Sequence, residues 1–239
     1  MSVSATTKLD IGGHAGSLTA PLAPRMALRE ASARYLTAPH FFRWYVWFKY
    51  RLDPCYLAVA AQIPTRTLTL DLGTGLGMLP VLLGLLGGER EILGIDHDRT
   101  KIGVARQVSR GLAGVQISEN DFLNCDFPRC DVVTLIDVLH YHSAAAQREL
   151  LERAAKALRP GGRLLIRDAD RREKGGARWT RALERLAVWF GWNRAGRVLY
   201  RPIVEIEADL ARLGFKTNQT RVAGSLYPGN VLLVAELRT

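Results

Sequence analysis

Asp71, Gly73, Gly75 and Gly77 stand at alternate positions where an apolar run closes, in the stretch TLTLDLGTGLG from Thr67 to Gly77. Glycines in that pattern leave the main chain bare, so positive φ is permitted and a ligand can lie directly on the peptide groups. A dinucleotide turn would need Gly-x-Gly-x-x-Gly, with glycine where Met78 stands, and a Walker loop would need Lys-Ser/Thr after the last glycine; neither is present. An acid two residues ahead of the first glycine repels a diphosphate and attracts a cation. Farther along, Asp137, His140, Tyr141 and His142 lie together after another apolar run. A histidine there could take a phenol or hydroxyl proton near neutral pH; capping or packing the next loop is the plainer role for the same residues.

These residues need elements to hold them. Thr67–Leu72, Glu91–Asp96, Val115–Asn120, Asp131–Asp137 and Arg163–Arg167 read as short apolar strands, with helical patterns near 76–87, 99–112 and 144–158 between them. Strand and helix alternating at this spacing predict a parallel sheet covered on both faces, with its ligand beyond the carboxyl ends of the strands. Arg159-Pro160-Gly161-Gly162 reads as a helix stop and a turn into the fifth strand. A helix near 204–213 then precedes Phe215–Val222 and Asn230–Leu237, whose connection through Pro228-Gly229 requires antiparallel pairing.

Asp71 with Gly73-x-Gly75-x-Gly77 resembles the first motif of the class I S-adenosylmethionine-dependent methyltransferases. Later stretches extend the likeness across residues 62–168 and the terminal hairpin: Asp96 at 19 residues after Gly77, Asn120-Asp121-Phe122, TLIDVLHYH and LRPGGRLLI. The resemblance implies a Rossmann-like doubly wound α/β fold. Its seven-stranded sheet would be mostly parallel with an antiparallel last strand, joined by N-terminal helices and a helical insert after strand 5. It also implies S-adenosylmethionine as cofactor, S-adenosylhomocysteine as product and no metal. Cofactor contacts would come from Asp71, Gly73, Thr74, Gly75 and Gly77. Asp96 would take both ribose hydroxyls with His97 beside it, Asp121 and Phe122 would meet the adenine, and Asp137 would complete the set. His140 or His142, with Tyr141, would serve an acceptor that must lose a proton. Two ordinary alternatives stand beside these roles: Asp96 as the N-cap of the helix near Asp98, and Asp121 as a plain loop acid. Family members that methylate amide or adenine nitrogen usually carry Asn/Asp-Pro-Pro-aromatic after the fourth strand, whereas this chain has Asp137-Val138-Leu139-His140. Cytosine C5 chemistry needs a nucleophilic thiol in the pocket, yet Cys125 and Cys130 precede that strand. Oxygen, or an activated aromatic carbon, remains as the acceptor atom.

With 239 residues, 48% of them hydrophobic, the chain can bury a large core. Its three cysteines form neither an even framework nor a zinc spacing and read as buried or free thiols in a reducing cytosol. No signal peptide or membrane span is legible, so the expected location is the cytoplasm, with contact at the inner membrane face held open. The net charge of +10 is concentrated: residues 25–53 hold six Arg/Lys against two acids, and residues 168–201 hold nine against four. All five tryptophans fall in the same two stretches. The boundaries expected are a flexible tail over 1–24, a helical cap over 25–61, and a methyltransferase domain over 62–239 with a helical insert at 169–201. The run FFRWYVWFKYRL, wound as a helix, puts Phe41, Trp44, Tyr45, Phe48 and Leu52 on one stripe and should be covered on more than one side. In the insert, Arg178, Arg181 and Arg185 share one face and Trp179, Leu183, Leu186 and Phe190 another. Both additions suit a wall or lid for a hydrophobic or aromatic acceptor, free or held on an acidic acyl carrier protein. Core packing or homodimer formation would use the same faces. RNA is disfavoured, since the arginines flank bulky apolar stripes and no appended module is legible. RWYVWFKYRLDPCY faintly resembles the N-terminal part of methyltransferases from aryl-polyene and polyketide pigment pathways.

Overall fold

The computed structural model describes residues 20–169, 199–221 and 230–237. The tail, most of the insert with Trp179, Trp189 and Trp192, and the Pro228-Gly229 turn lie outside the described residues. Three helices come first: α1 (Pro24–Arg34), α2 (His40–Leu52) and α3 (Cys55–Ala60). Then β1 (Leu68–Leu72), α4 (Met78–Leu86), β2 (Glu91–Asp96), α5 (Arg99–Val108), β3 (Val115–Glu119), β4 (Cys130–Ile136), α6 (Ala144–Ala157) and β5 (Leu158–Ala169) alternate as expected. The described chain closes with α7 (Ile203–Arg212), β6 (Phe215–Arg221) and β7 (Asn230–Leu237).

The seven strands lie in the order β3-β2-β1-β4-β5-β7-β6. All pairs through β5 are parallel, and β7 runs antiparallel to both β5 and β6. Strand order reverses between β1 and β4, which opens a crevice beyond their carboxyl ends. Leu68, Leu70 and Leu72 face one side of the sheet with α6 and α7, while α1 to α4 and the apolar side of α5 cover the other. Strands buried on both faces read as continuous apolar runs, which is why their ends are close to those expected.

Arg159 to Gly162 differ from expectation. This stretch lies within β5 as an extrusion: β4 advances two residues from Cys130 to Val132 while β5 advances five from Leu158 to Arg163. Gly161 takes φ +72° there, a value that glycine adopts without a Cβ penalty. Among the described residues, no helix is long and apolar enough to cross a membrane.

Candidate active site

The glycine turn does several things at once. Gly73, Gly75 and Gly77 all take positive φ, at +74°, +55° and +75°. A Cβ on Gly73 would come 2.5 Å from Val138, and one on Gly77 would come 2.9 Å from Ala105. These two are glycine because neighbouring elements press on them. Gly75 is different: the nearest atoms to a Cβ there, Asp96 Oδ2 and Lys101 Cδ, are 4.0 Å away. It therefore presents bare main chain beside a carboxylate. Gly73 N and Thr74 N both donate to Ile95 O, tying the turn to β2, and the Thr74 hydroxyl is turned inward toward Gly94.

Asp96 accepts from Gly75 N at 2.9 Å through Oδ2 and from Asp98 N at 2.9 Å through Oδ1. The N-cap of α5 is Asp98, whose carboxylate accepts from Thr100 N and Lys101 N, so Asp96 is spared that duty. A carboxylate has about four acceptor positions, and the two main-chain bonds leave two for hydroxyl donors. His97 is exposed beside it, with Nδ1 3.7 Å from Asp96 Oδ1.

Asp71 lies under the turn and is 3% exposed. The Thr134 hydroxyl donates to it at 2.6 Å. Burial raises its carboxyl to about 6, against the opposing hydrogen bond of Thr134. No cation among the described residues forms an ion pair with it, which is the environment a positively charged ligand would relieve.

Asp121 is engaged locally, accepting from Leu123 N at 2.9 Å and Asn124 Nδ2 at 2.6 Å. It shapes its own turn as the ordinary loop-acid reading has it, while remaining exposed. The Phe122 ring is buried in the core against His142, with centroids 5.6 Å apart, so contact with an adenine would fall to its main chain. Arg153 from α6 holds the carbonyls of Phe122 at 2.9 Å and Leu123 at 2.6 Å.

The other half of the crevice, at the ends of β4 and β5, is built from paired charges. His140 is 7% exposed, and its Nδ1 lies 2.7 Å from Asp168 Oδ1. That carboxylate beside Nδ1 favours the neutral tautomer with the proton on Nδ1 and the lone pair on Nε2. Tyr141 and Tyr200 flank the ring, at centroid distances of 4.2 and 4.9 Å. Leu199 N donates to His140 O at 2.7 Å. His142 pairs with no carboxylate among the described residues; burial lowers its pKa, against the nearby charge of Asp121 and with smaller lowering from His97 and His140. Burial pushes the Tyr141 phenol well up.

Asp137, the one described non-glycine residue at positive φ (+58°), accepts from Lys49 at 3.2 Å and from Arg167. Both cations also reach Asp53, at 3.3 and 2.8 Å. Burial works to raise the Asp137 carboxyl, but Arg167, Lys49 and His140 outweigh it and hold it down to about 2. Asp137 is thus committed to a protein network. Two tyrosines bring the N-terminal helices to the glycine turn: Tyr35 Oη donates to Leu76 O at 2.9 Å and Tyr50 Oη to Met78 O at 2.7 Å.

Sequence reasoning missed Asp168, Lys49, Asp53, Arg167, Tyr35 and Tyr50. A signal existed for one pair: Lys49 near the end of α2 and Asp53 at its C-cap are four residues apart, the spacing of an ion pair. The covering of α2 is also corrected, since Val46, Lys49 and Tyr50 are buried while Trp44 and Trp47 stand out. All three cysteines are buried and free. No cluster of metal-ligating residues occurs among the described residues.

Comparison with known proteins gives these features a family. A methyltransferase domain model matches residues 65–200. Among solved structures, an O-methyltransferase family protein from Burkholderia thailandensis is 21% identical with a TM-score of 0.63, covering 80% of this chain and 57% of its own. The magnesium protoporphyrin IX methyltransferase of Synechocystis PCC 6803, with S-adenosylhomocysteine bound, is 21% identical at TM-score 0.59, over 90% and 94% of the two chains. Human N-acetylserotonin methyltransferase, in complex with S-adenosylmethionine, is 19% identical at TM-score 0.58, over 90% and 66%. At these identities the likeness is one of fold, and the chain spans little more than half of the Burkholderia protein. No curated protein matches the chain.

Proposed function

The chain belongs to the methyltransferase-domain family, the S-adenosylmethionine-dependent enzymes of the class I fold, and from that premise we propose that it methylates an oxygen, or an activated carbon, of a lipophilic or aromatic small molecule. The residues at the crevice suit the cofactor. Asp96 retains acceptor capacity for two ribose hydroxyls, and Gly75 leaves room for the nucleoside against its main chain. The first turn of α4 carries neither an acidic side chain nor a side-chain cap, which suits the carboxylate of the methionine portion. Asp71 would supply negative potential to the positively charged sulfur. The bound sulfonium supplies the methyl group; the protein aligns the acceptor and excludes water.

The observation that carries the choice of acceptor is the His140–Asp168 pair at 2.7 Å. A phenol or hydroxyl acceptor must lose its proton as the methyl arrives, and the His140 imidazole, its ring fixed by Asp168 and flanked by two tyrosines, is the group to take it. The acceptor proton passes to Nε2 and the imidazolium is stabilised by Asp168. His142, its pKa lowered, and Tyr141, reluctant to ionise, line the site.

Incubation with methyl-labelled cofactor and host metabolite extract, read by product mass and fragmentation, tests this reading. A gain of one methyl on a nonpolar species supports it; label appearing in RNA would replace it. His140→Ala is expected to lower kcat by about 10²–10⁴ with cofactor affinity unchanged. Asp168→Asn is expected to lower it less and to shift the pH profile. Wild-type turnover in His140→Ala would remove the general-base role.

A further inference from the structure

Trp44 and Trp47 are 59% and 51% exposed on α2. With His40 and Arg51 they occupy positions 40, 44, 47 and 51, the spacing of one helical stripe, and all four are exposed. Trp44 stacks on Phe48 with centroids 5.5 Å apart and planes at 17°, so the ring is held along its own helix. Arg43 lies beside His40, at 3.3 Å. The helix sequence HFFRWYVWFKYRL contains no carboxylate, and Lys49 is turned inward to Asp53 and Asp137. Among the described residues, the outward side of α2 therefore offers two indoles, His40 and positive charge, with no carboxylate of the helix's own.

We propose that this face docks the protein on an anionic lipid surface, with the indoles at headgroup depth and Arg43 and Arg51 against the anionic headgroups. Indole joins an apolar body to an N–H donor and favours the boundary between water and hydrocarbon. Arginine at such a surface adds electrostatic attraction. The opposite side of α2 is buried on the protein through Val46 and Tyr50, so the helix lies flat on the body with its stripe outward, the attitude of an interfacial helix. A second copy of the chain fits this face poorly. A two-fold contact would set Arg43 and Arg51 near their own copies with no acid on the helix to answer them. Two exposed rings are also well short of the roughly 800 Å² per partner that a stable contact buries. The docking does not depend on which acceptor the crevice takes, though a lipophilic acceptor would be met where it dissolves.

The test is flotation of the full chain with vesicles of phosphatidylcholine alone or mixed with phosphatidylglycerol, at low and high salt. Arg43→Gln with Arg51→Gln, and Trp44→Ala with Trp47→Ala, are run beside the wild type. Calorimetry with S-adenosylmethionine verifies that each variant is folded and reports on the crevice separately. The wild type should float with the mixed vesicles and not with phosphatidylcholine alone. Partitioning should fall about fivefold per arginine removed and on the order of tenfold when both indoles are lost. The proposal is overturned if the wild type stays at the bottom with mixed vesicles, or if the tryptophan variant floats equally well. A dimer that the tryptophan variant alone dissociates would assign the face to a second copy instead.

Discussion

The two halves of the crevice treat buried carboxylates in opposite ways. At the ends of β1 and β2, Asp71 and Asp96 are met by hydroxyls and main-chain N–H groups. At the ends of β4 and β5, Asp137 is met by Lys49 and Arg167, and Asp168 by His140. Negative charge with no cationic partner among the described residues is costly in the first half, and a bound cation would relieve it. The second half is already neutralised by its own side chains. Its charges fix the geometry at the ends of β4 and β5, and the contrast separates a half left open to a cation from a half closed by the protein's own side chains.

Arg167→Met should give the largest effect, because it leaves Asp53 and Asp137 facing Lys49 alone in a buried site. A loss of about 3–5 kcal/mol is expected by urea unfolding, and adding Asp53→Asn should recover part of it. Unchanged stability would mean that the network does not bind the second half together. Asp96→Ala should act on the first half only, raising the cofactor dissociation constant about a hundredfold through two lost charge-assisted hydrogen bonds. Ligand-free melting should fall as well, because Gly75 N and Asp98 N lose their acceptor; if calorimetry shows no weakening of cofactor binding, the ribose role of Asp96 fails.

The Asp71 carboxyl, raised to about 6, predicts a pH signature for the same half. Its folded value lies above its unfolded one, so it contributes stability at low pH that is lost as pH rises through about 6. Cofactor affinity should run the other way, falling about tenfold between pH 7 and pH 5 as the carboxylate takes its proton. Asp71→Asn should flatten both trends. Asp137, held at about 2, should contribute nothing over that range. The smallest effect is expected at Gly75, where alanine adds about 1 kcal/mol of backbone strain and meets open space. Gly73→Ala should cost more, because its Cβ would strike Val138 at 2.5 Å. Equal losses at the two positions would erase the distinction between the glycine that is pressed and the one that is open.

Most of the sheet was legible because buried parallel strands are short apolar runs, and Glu91–Asp96 and Asn230–Leu237 have the ends expected of them. The glycine turn and Asp96 were legible because their spacing is set locally, by one turn and one strand. The second half was only partly so. His140 is marked by its place after a strand, but Asp168, its partner, is 28 positions away. Arg167 meets Asp53 across 114 positions, a pairing that only the assembled sheet creates. Burial of Lys49 ran against its type, since lysine on an apolar helix is ordinarily expected to reach water. The same inward turn left Trp44 and Trp47 outside.

Tyr35 and Tyr50 clasp the peptide oxygens of Leu76 and Met78 from the opposite side of the cofactor loop. A chain trimmed to start at β1 would therefore not be a minimal catalyst stripped of an accessory. Trimming would unpeg two carbonyls of the glycine turn and strip Lys49 and Asp53 from the charge quartet, leaving Arg167 with Asp137 alone of its two described carboxylate partners. The leading helices are in this sense a back wall built before the room.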